Sequence, residues 1–338
     1  MLGGIFLLIL FTRWRMRKFR KRQIQLEQEV AAATQVIIEQ KEEVEKQHEE
    51  VVQAYEKLEF QKKVVEAKNR EITDSITYAK RLQNAILPPA KLVKEWLNDS
   101  FIFYKPKAIV AGDFYWMEVA KRNGRNIVFY AAADCTGHGV PGAMVSVVCS
   151  NALNRAVKEF KINDPAVLLD VVSRLVQESF AQSDEIIRDG MDIAICAVDL
   201  VEKKIWFAGA NNPLYRITDI DVEVPDDVDV VESGKRKLVE YKPDKQAVGD
   251  GAFDLPYHTT EIQLVPGDCL YIFSDGFADQ FGGDKGKKYK SANFKSFLLQ
   301  IEGQEMEAQR LILDTEIERW KGEYEQVDDI CVIGLRVN

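Results

Sequence analysis

From Ile24 to Leu87 the chain runs without a proline, and one heptad column through that stretch stays apolar at every step. The column reads Val30, Ile37, Val44, Val51, Leu58, Val65, Ile72, Ala79 and Ile86. A sustained seven-residue repeat is the signature of a helix that winds around another helix. The companion column is weaker: Leu26, Ala33, Gln40, Gln47, Ala54, Gln61, Lys68, Ser75 and Leu82. A strong column beside a polar one predicts a parallel coiled coil of limited stability, its register loosely fixed. Glu, Gln and Lys fill the remaining positions as good helix formers with a solvated face. Over 24–87 such an arm measures about 95 Å at 1.5 Å per residue. A helix of that length cannot bury its stripe alone, so a homodimer is expected; a lone charged helix is the alternative. Pro88-Pro89 closes the arm at residue 90, because proline cannot continue a helix.

Ahead of the arm, residues 1–23 join an apolar run, Leu2–Phe11, to the basic block RWRMRKFRKR. Ten apolar residues are short for a bilayer crossing, which takes roughly 20. The basic block follows the apolar run and no small-residue cleavage site appears, so this is not a signal peptide. Two membrane readings stay open: the cytoplasmic end of a spanning helix, or an interfacial anchor with Arg13–Arg22 on anionic headgroups. Either places the protein on the cytoplasmic face of a membrane. A chance apolar start is the plain alternative.

The formal charge of −9 and pI of about 5.2 argue against a nucleic-acid partner. The five cysteines are scattered without metal-type spacing, which fits reduced, buried thiols. With three histidines (His48, His138, His258), a histidine-rich metal centre is excluded, and any metal must be held by carboxylates.

Residues 98–338 read as an α+β domain. Strands are expected at Phe101–Tyr104, Asp113–Glu118, Ile127–Ala133, Asp192–Asp199, Lys204–Ala210, Leu214–Ile217, Glu261–Leu264, Asp268–Phe273 and Ile330–Val337. Helices are expected at Val140–Phe160, Pro165–Gln182, Ala292–Ile301 and Glu305–Lys321. The acidic stretch Asp219–Gly234 reads as an exposed loop or extended hairpin.

Four acidic residues stand where a strand meets a tight turn: Asp113 in A-G-D-F-Y-W, Asp134 in A-D-C-T-G-H-G, Asp275 in F-S-D-G-F and Asp328 in V-D-D-I. Apolar neighbours would press each carboxylate against a buried sheet, where isolated charge costs several kcal/mol. Four such residues from remote parts of the chain suggest a shared hard divalent cation, magnesium or manganese.

In order and spacing, these four motifs resemble the SpoIIE-type branch of the metal-dependent PPM (type 2C) serine/threonine protein phosphatases. The likeness covers roughly Phe101–Val337, and Ser75–Pro89 (SITYAKRLQNAILPP) is similar to the regulatory helix leading into that branch's domain. The resemblance implies an αββα sandwich preceded by a long coiled-coil helix, with two Mn2+ or Mg2+ ions at one end of the sheets. It implies that Asp134 bridges the ions, that the Cys135 carbonyl completes one shell, and that Asp275 and Asp328 bind the other ion. Asp113 would hold metal-bound waters or a ligand position. Asp329 is either a further ligand or a residue capping the turn at a strand start. The implied chemistry is direct attack on phosphorus by water activated between the two ions.

Two departures stand out. Cys135 and Thr136 displace His138 from the offset of the animal-type histidine, leaving it as a leaving-group acid or simply a helix-start residue. No arginine in the motifs clamps phosphate. His48 and His258 carry no functional reading, the latter expected on a strand. Residues Val239–Ala252 look like the family's loop before the last sheet.

The implied substrate is a phosphorylated partner protein, a STAS-type anti-sigma-factor antagonist. A diguanylate cyclase reading of Asp113 fails because Phe114 and Tyr115 stand where a second acidic residue is needed. A P-loop reading of the Asp134 turn fails for want of Lys and Ser/Thr. A catalytically inactive phosphatase-like docking module is the functional alternative, and a coiled-coil scaffold with an incidental domain a more distant one.

Overall fold

The computed structural model describes residues 2–181, 189–251 and 255–338. The chain divides into two units, Met1–Thr73 and Asp74–Asn338.

The first unit is helical throughout, the main part of α1 (Leu2–Asn84). Its apolar column is solvent-exposed in the single chain: Val30, Ile37, Val44, Val51, Leu58 and Val65 are each more than half accessible. No helix is long and apolar enough to cross a membrane, among the described residues. The helix stops at Asn84, so Ile86, the last member of the heptad column, lies beyond it.

The second unit takes in the last residues of α1, then α2 (Ala90–Trp96), where the Pro88-Pro89 pair acts as a start as well as a stop: Pro89 is the N-cap. Then come β1 (Ser100–Lys105), β2 (Phe114–Arg122), β3 (Arg125–Cys135), α3 (Gly139–Lys158) and α4 (Pro165–Phe180). Asp164 caps α4 by accepting the Ala166 and Val167 N–H groups. Gln182, the expected end of that helix, lies outside the described residues. The chain continues through β4 (Met191–Asp199), β5 (Lys204–Ala210), β6 (Leu214–Asp219), β7 (Asp229–Ser233), β8 (Arg236–Tyr241), β9 (Thr260–Gln263) and β10 (Cys269–Phe273). It ends with α5 (Gly276–Asp279), the short pair β11 (Phe281–Gly282) and β12 (Lys287–Lys288), α6 (Ser291–Ile301), α7 (Met306–Lys321) and β13 (Ile330–Arg336).

Two antiparallel sheets result, ordered β1-β13-β10-β6-β8-β7 and β2-β3-β4-β5-β9. The facing sheets enclose one apolar layer, containing Tyr130, Cys196, Phe207, Leu270 and Ile333. A second layer lies between the five-stranded sheet and α3 with α4 (Phe129, Ile195, Leu153, Leu169). A third lies between the six-stranded sheet and α6 with α7 (Phe273, Tyr271, Phe294, Leu313). The order is helices, sheet, sheet, helices: the expected αββα sandwich. Strands buried on both faces read as continuous apolar runs, which is why β3 and β4 carry so few polar residues.

The acidic stretch after β6 is a hairpin at its end, with β7 pairing β8 and β8 pairing β6. β7 is the sheet edge and mostly exposed, whereas Leu238 and Val239 of β8 are fully buried. His258 is not on a strand; it lies two residues ahead of β9, exposed, with Nδ1 2.8 Å from an Asp244 carboxylate oxygen.

Candidate functional site

The ladder of the five-stranded sheet sets three carboxylates in a row. β2 pairs Phe114 with Ala133, so Asp113, one residue earlier, falls beside Asp134. On its other side β3 pairs Asp134 directly with Asp192. The six-stranded sheet supplies two more from neighbouring strands. Asp275 follows β10, Asp328 precedes β13, and these strands pair in register at Phe273 and Val332. Ser274 ties the two sheets: its hydroxyl donates to Asp113 Oδ2 at 2.5 Å and accepts the Cys331 N–H at 3.0 Å.

Two close backbone approaches hold the turns together. A Cβ on Gly276 would stand 1.9 Å from the Asp329 carbonyl oxygen, so the Asp275 turn can touch the Asp328-Asp329 turn only through glycine. A Cβ on Gly142 would stand 2.1 Å from the Gly137 carbonyl, and one on Gly112 2.3 Å from the same atom. The glycines of these motifs thus let loops from three elements share one space.

Charge repulsion at this end of the sandwich is strong. Asp113 is 1% exposed, and its carboxyl is held well above the usual range, first by burial and then by Asp134. Burial, with Asp275 and Asp328 next, pushes Asp134 up to about 8. Asp275, exposed at the rim, is raised to about 6 by desolvation and by Asp279, Asp328 and Asp192. Asp192 is also raised by desolvation, although the Asn211 side-chain amide donates to it at 2.7 Å. The one lysine acting on Asp275, Lys288, is bonded to Asp279. A set of desolvated, mutually repelling carboxylates fits a multivalent cation and oxygen-only ligation.

Asp134, Asp192 and Asp328 open on a cavity of about 230 Å3, together with Thr136, Gly137 and His138. As the side chains stand, no group of three or more His, Cys, Asp or Glu is placed to hold a metal ion, among the described residues. The carboxylates line a space instead, which suits ions that keep several waters.

Each residue singled out in the sequence has a definite place. The Cys135 thiol is buried in the layer between sheet and helices, next to Cys149, which leaves its main chain at the cavity. His138 is the exposed residue preceding α3, its side chain making no capping bond, and it lines the cavity. Asp329 is almost fully buried, and it accepts the N–H of Lys107 and of Gly112, both at 2.7 Å. Its carboxylate therefore braces the loop ahead of Asp113, the turn-capping alternative. Asp192 is the residue sequence reasoning missed. It reads as an ordinary strand start, and only its register against Asp134 would have exposed it.

One more side chain reaches the site from the helix before it. Gln83, in the last turn of α1, is buried; its amide donates to the Ala111 carbonyl at 2.6 Å and to Ser146 Oγ at 3.1 Å. Its oxygen accepts the Ala111 N–H at 3.1 Å. Ala111 lies two residues before Asp113, and Ser146 lies on the helix that follows the Asp134 turn.

Comparison with known proteins agrees with this fold. Curated protein sequences gave no match. The SiaA-PP2C domain of Pseudomonas aeruginosa superposes with a TM-score of 0.67 at 29% identity, over 80% of this chain and 99% of that one. The PP2C phosphatase domain of SpoIIE from Bacillus subtilis, with part of its regulatory domain, gives 0.51 at 17% identity, over 71% and 63%. The RsbU and RsbW domains of Rv1364c from Mycobacterium tuberculosis give 0.51 at 15%, over 70% and 59%. Residues 124–338 match the family model for stage II sporulation protein E. The chain belongs to the SpoIIE family, and its folded domain is a protein phosphatase of the PP2C (PPM) type.

Proposed function

We propose that this is a divalent-metal-dependent serine/threonine phosphoprotein phosphatase acting in signalling. The observation that carries the reading is the convergence of Asp113, Asp134, Asp192, Asp275 and Asp328 from both sheets, where they repel one another. Asp134 lies between Asp113 and Asp192 on the ladder, with Asp275 and Asp328 acting on it from the other sheet, which supports reading it as the bridging ligand. Two Mn2+ or Mg2+ ions held there would lower the pKa of water and offset charge on a phosphoryl group. The chain's own groups orient the ligands. Ser274 fixes Asp113, Asn211 fixes Asp192, and Asp329 with Gln83 fixes the segment leading to Asp113. His138 stands at the cavity mouth, where it can hand a proton to the departing serine or threonine oxygen.

Hydrolysis of p-nitrophenyl phosphate with manganese tests the site. Asp134→Ala and Asp275→Ala are each expected to lower the rate at least about a hundredfold. Unchanged rates in both would refute the assignment. A wild type inert with every divalent ion yet binding a phosphoprotein would establish the docking-module reading.

A phosphorylated protein is the proposed substrate, the STAS-type antagonist of an anti-sigma factor being the class the family resemblance implies. The exposed apolar column of α1 supports assembly as a parallel dimer. The apolar Leu2–Phe11 run followed by the basic block supports attachment to the cytoplasmic face of a membrane. Sedimentation of residues 24–338 at micromolar concentration is expected to give a dimer, and the Leu58→Lys, Val65→Lys double variant a monomer. A monomeric parent would remove the dimer from the account.

A further inference from the structure

Away from the acidic cavity, β1 ends the six-stranded sheet: among the described residues it pairs with β13 on one side and with no strand on the other. Its register with β13 shows which main-chain groups look outward. The Asp99 carbonyl accepts the Arg336 N–H at 2.8 Å, and Ser100 pairs with Leu335. The alternation of an antiparallel ladder then turns Phe101 and Phe103 toward β13, and Ser100, Ile102 and Tyr104 away from it. Consistently, the Ser100 carbonyl is met from outside the sheet by the Lys94 ammonium.

That outward edge is not flat against solvent. A cavity of about 460 Å3 runs along it and is lined by all six residues of β1. Val93 and Lys94 of α2 form one wall, and Arg310 and Asp314 of α7 the other, with Tyr115 of β2 also facing the space. Six residues of strand span about 20 Å. The cavity is thus a slot about one strand long, between two helices, with main-chain donors and acceptors along its floor. A recessed slot admits a single extended chain more readily than it admits the edge of a second sheet.

The wall charges say what that chain carries. Arg310 is bonded to Glu307 at 2.6 Å, and Asp314 to Lys105 at 2.7 Å, so both are already offset. Lys94 makes no ion pair among the described residues; its one bond is to the Ser100 carbonyl. An added strand would supply a main-chain N–H to that carbonyl and leave the Lys94 ammonium facing the newcomer.

We propose that the outer edge of β1 docks an extended segment of a partner protein by strand addition, the segment alternating apolar residues and presenting a carboxylate to Lys94. Main-chain pairing gives the affinity of such contacts, and the pockets for alternate side chains give the selectivity. Here Ile102, Tyr104 and Tyr115 provide the apolar surface, each half-buried. The slot also reaches the acidic site through one bond, because the Tyr104 hydroxyl donates to the Asp113 carbonyl at 2.9 Å.

The test is a binding measurement and does not depend on phosphatase activity. A fluorescein-labelled nonapeptide of alternating valine and threonine with a central aspartate is titrated with the full chain and followed by anisotropy. Hydrogen exchange of the same mixture is read by NMR at single amides. Saturable binding is expected, with new protection at the Ile102 and Tyr104 amides. Methylating alternate peptide nitrogens is expected to weaken binding at least about tenfold. Lys94→Glu, an exposed position, is expected to weaken it severalfold. Absence of saturable binding, equal binding of the methylated peptide or of the Lys94→Glu protein, or protection elsewhere would each overturn the proposal. Protection at Ile102 and Tyr104 that appears without peptide and rises with protein concentration would assign the edge to a second copy, and would overturn it too.

Discussion

Asp329 shows how a carboxylate beside a metal site can serve structure. It is buried and spends its two oxygens on the Lys107 and Gly112 N–H groups, which sets the backbone from which Asp113 projects. Asp329→Ala would leave two donors without their partner, at a cost of about 2–4 kcal/mol. We expect the melting temperature of the domain to fall by roughly 5–15 °C, since 1 kcal/mol shifts a domain of this size by about 2–4 °C. Asp329→Asn, keeping one acceptor, should lose about half as much. Thermal unfolding followed by circular dichroism distinguishes these outcomes, and an unchanged midpoint in the alanine variant would contradict the bracing role. At this scale the sequence was informative where a residue's neighbours imposed its setting. Asp113, Asp134 and Asp275 each sit between apolar strand and glycine turn, Asp328 stands just ahead of an apolar strand, and all four come to one end of the sandwich. Asp192 escaped because nothing local marks it: its partner is across the ladder, 58 positions earlier in the chain at Asp134.

Among elements, the end of α1 is the most consequential. Its last turn delivers Gln83 to the main chain of Ala111 and to Ser146 of α3, the two segments flanking the Asp113 and Asp134 turns. A shift of this turn would release both at once. Gln83→Ala is expected to raise the manganese concentration for half-maximal p-nitrophenyl phosphate hydrolysis by about tenfold, in the range for groups that support metal ligands indirectly. The rate at saturating manganese should be less affected. A lower maximal rate with an unchanged manganese requirement would count against the coupling. Most elements were legible, because strands buried on both faces and amphipathic helices leave strong periodicities. α2 was not, since Pro88-Pro89 reads in the sequence as a stop, whereas Pro89 also caps the next helix. β8 was hidden by the acidic stretch before it, although Leu238 and Val239 are core residues. Strand order was beyond periodicity altogether: β13, the last strand, enters between β1 and β10.

For the whole molecule, the account is one of opposed energies. Folding brings five carboxylates to one end of two sheets, where burial and mutual repulsion outweigh the one opposing charge, Lys288 near Asp275. The raised pKa values of Asp113, Asp134, Asp192 and Asp275 fix the sign of the pH response. In the metal-free domain Asp134, pushed up to about 8, binds a proton near neutrality that the unfolded chain, titrating near 4, does not. That contribution to stability is complete below about pH 4 and is lost as pH rises toward 8. A divalent ion must displace such protons, so its binding strengthens with pH and releases protons. The most direct test is therefore a calorimetric titration of residues 24–338 with Mn2+ at pH 7.5, in two buffers of different ionisation enthalpy. We predict about two ions per chain, proton release visible as a buffer-dependent heat, weaker binding at pH 5.5, and loss of at least one ion in Asp134→Ala. Failure of the wild-type protein to bind manganese, or unchanged stoichiometry and heat in Asp134→Ala, would contradict the account.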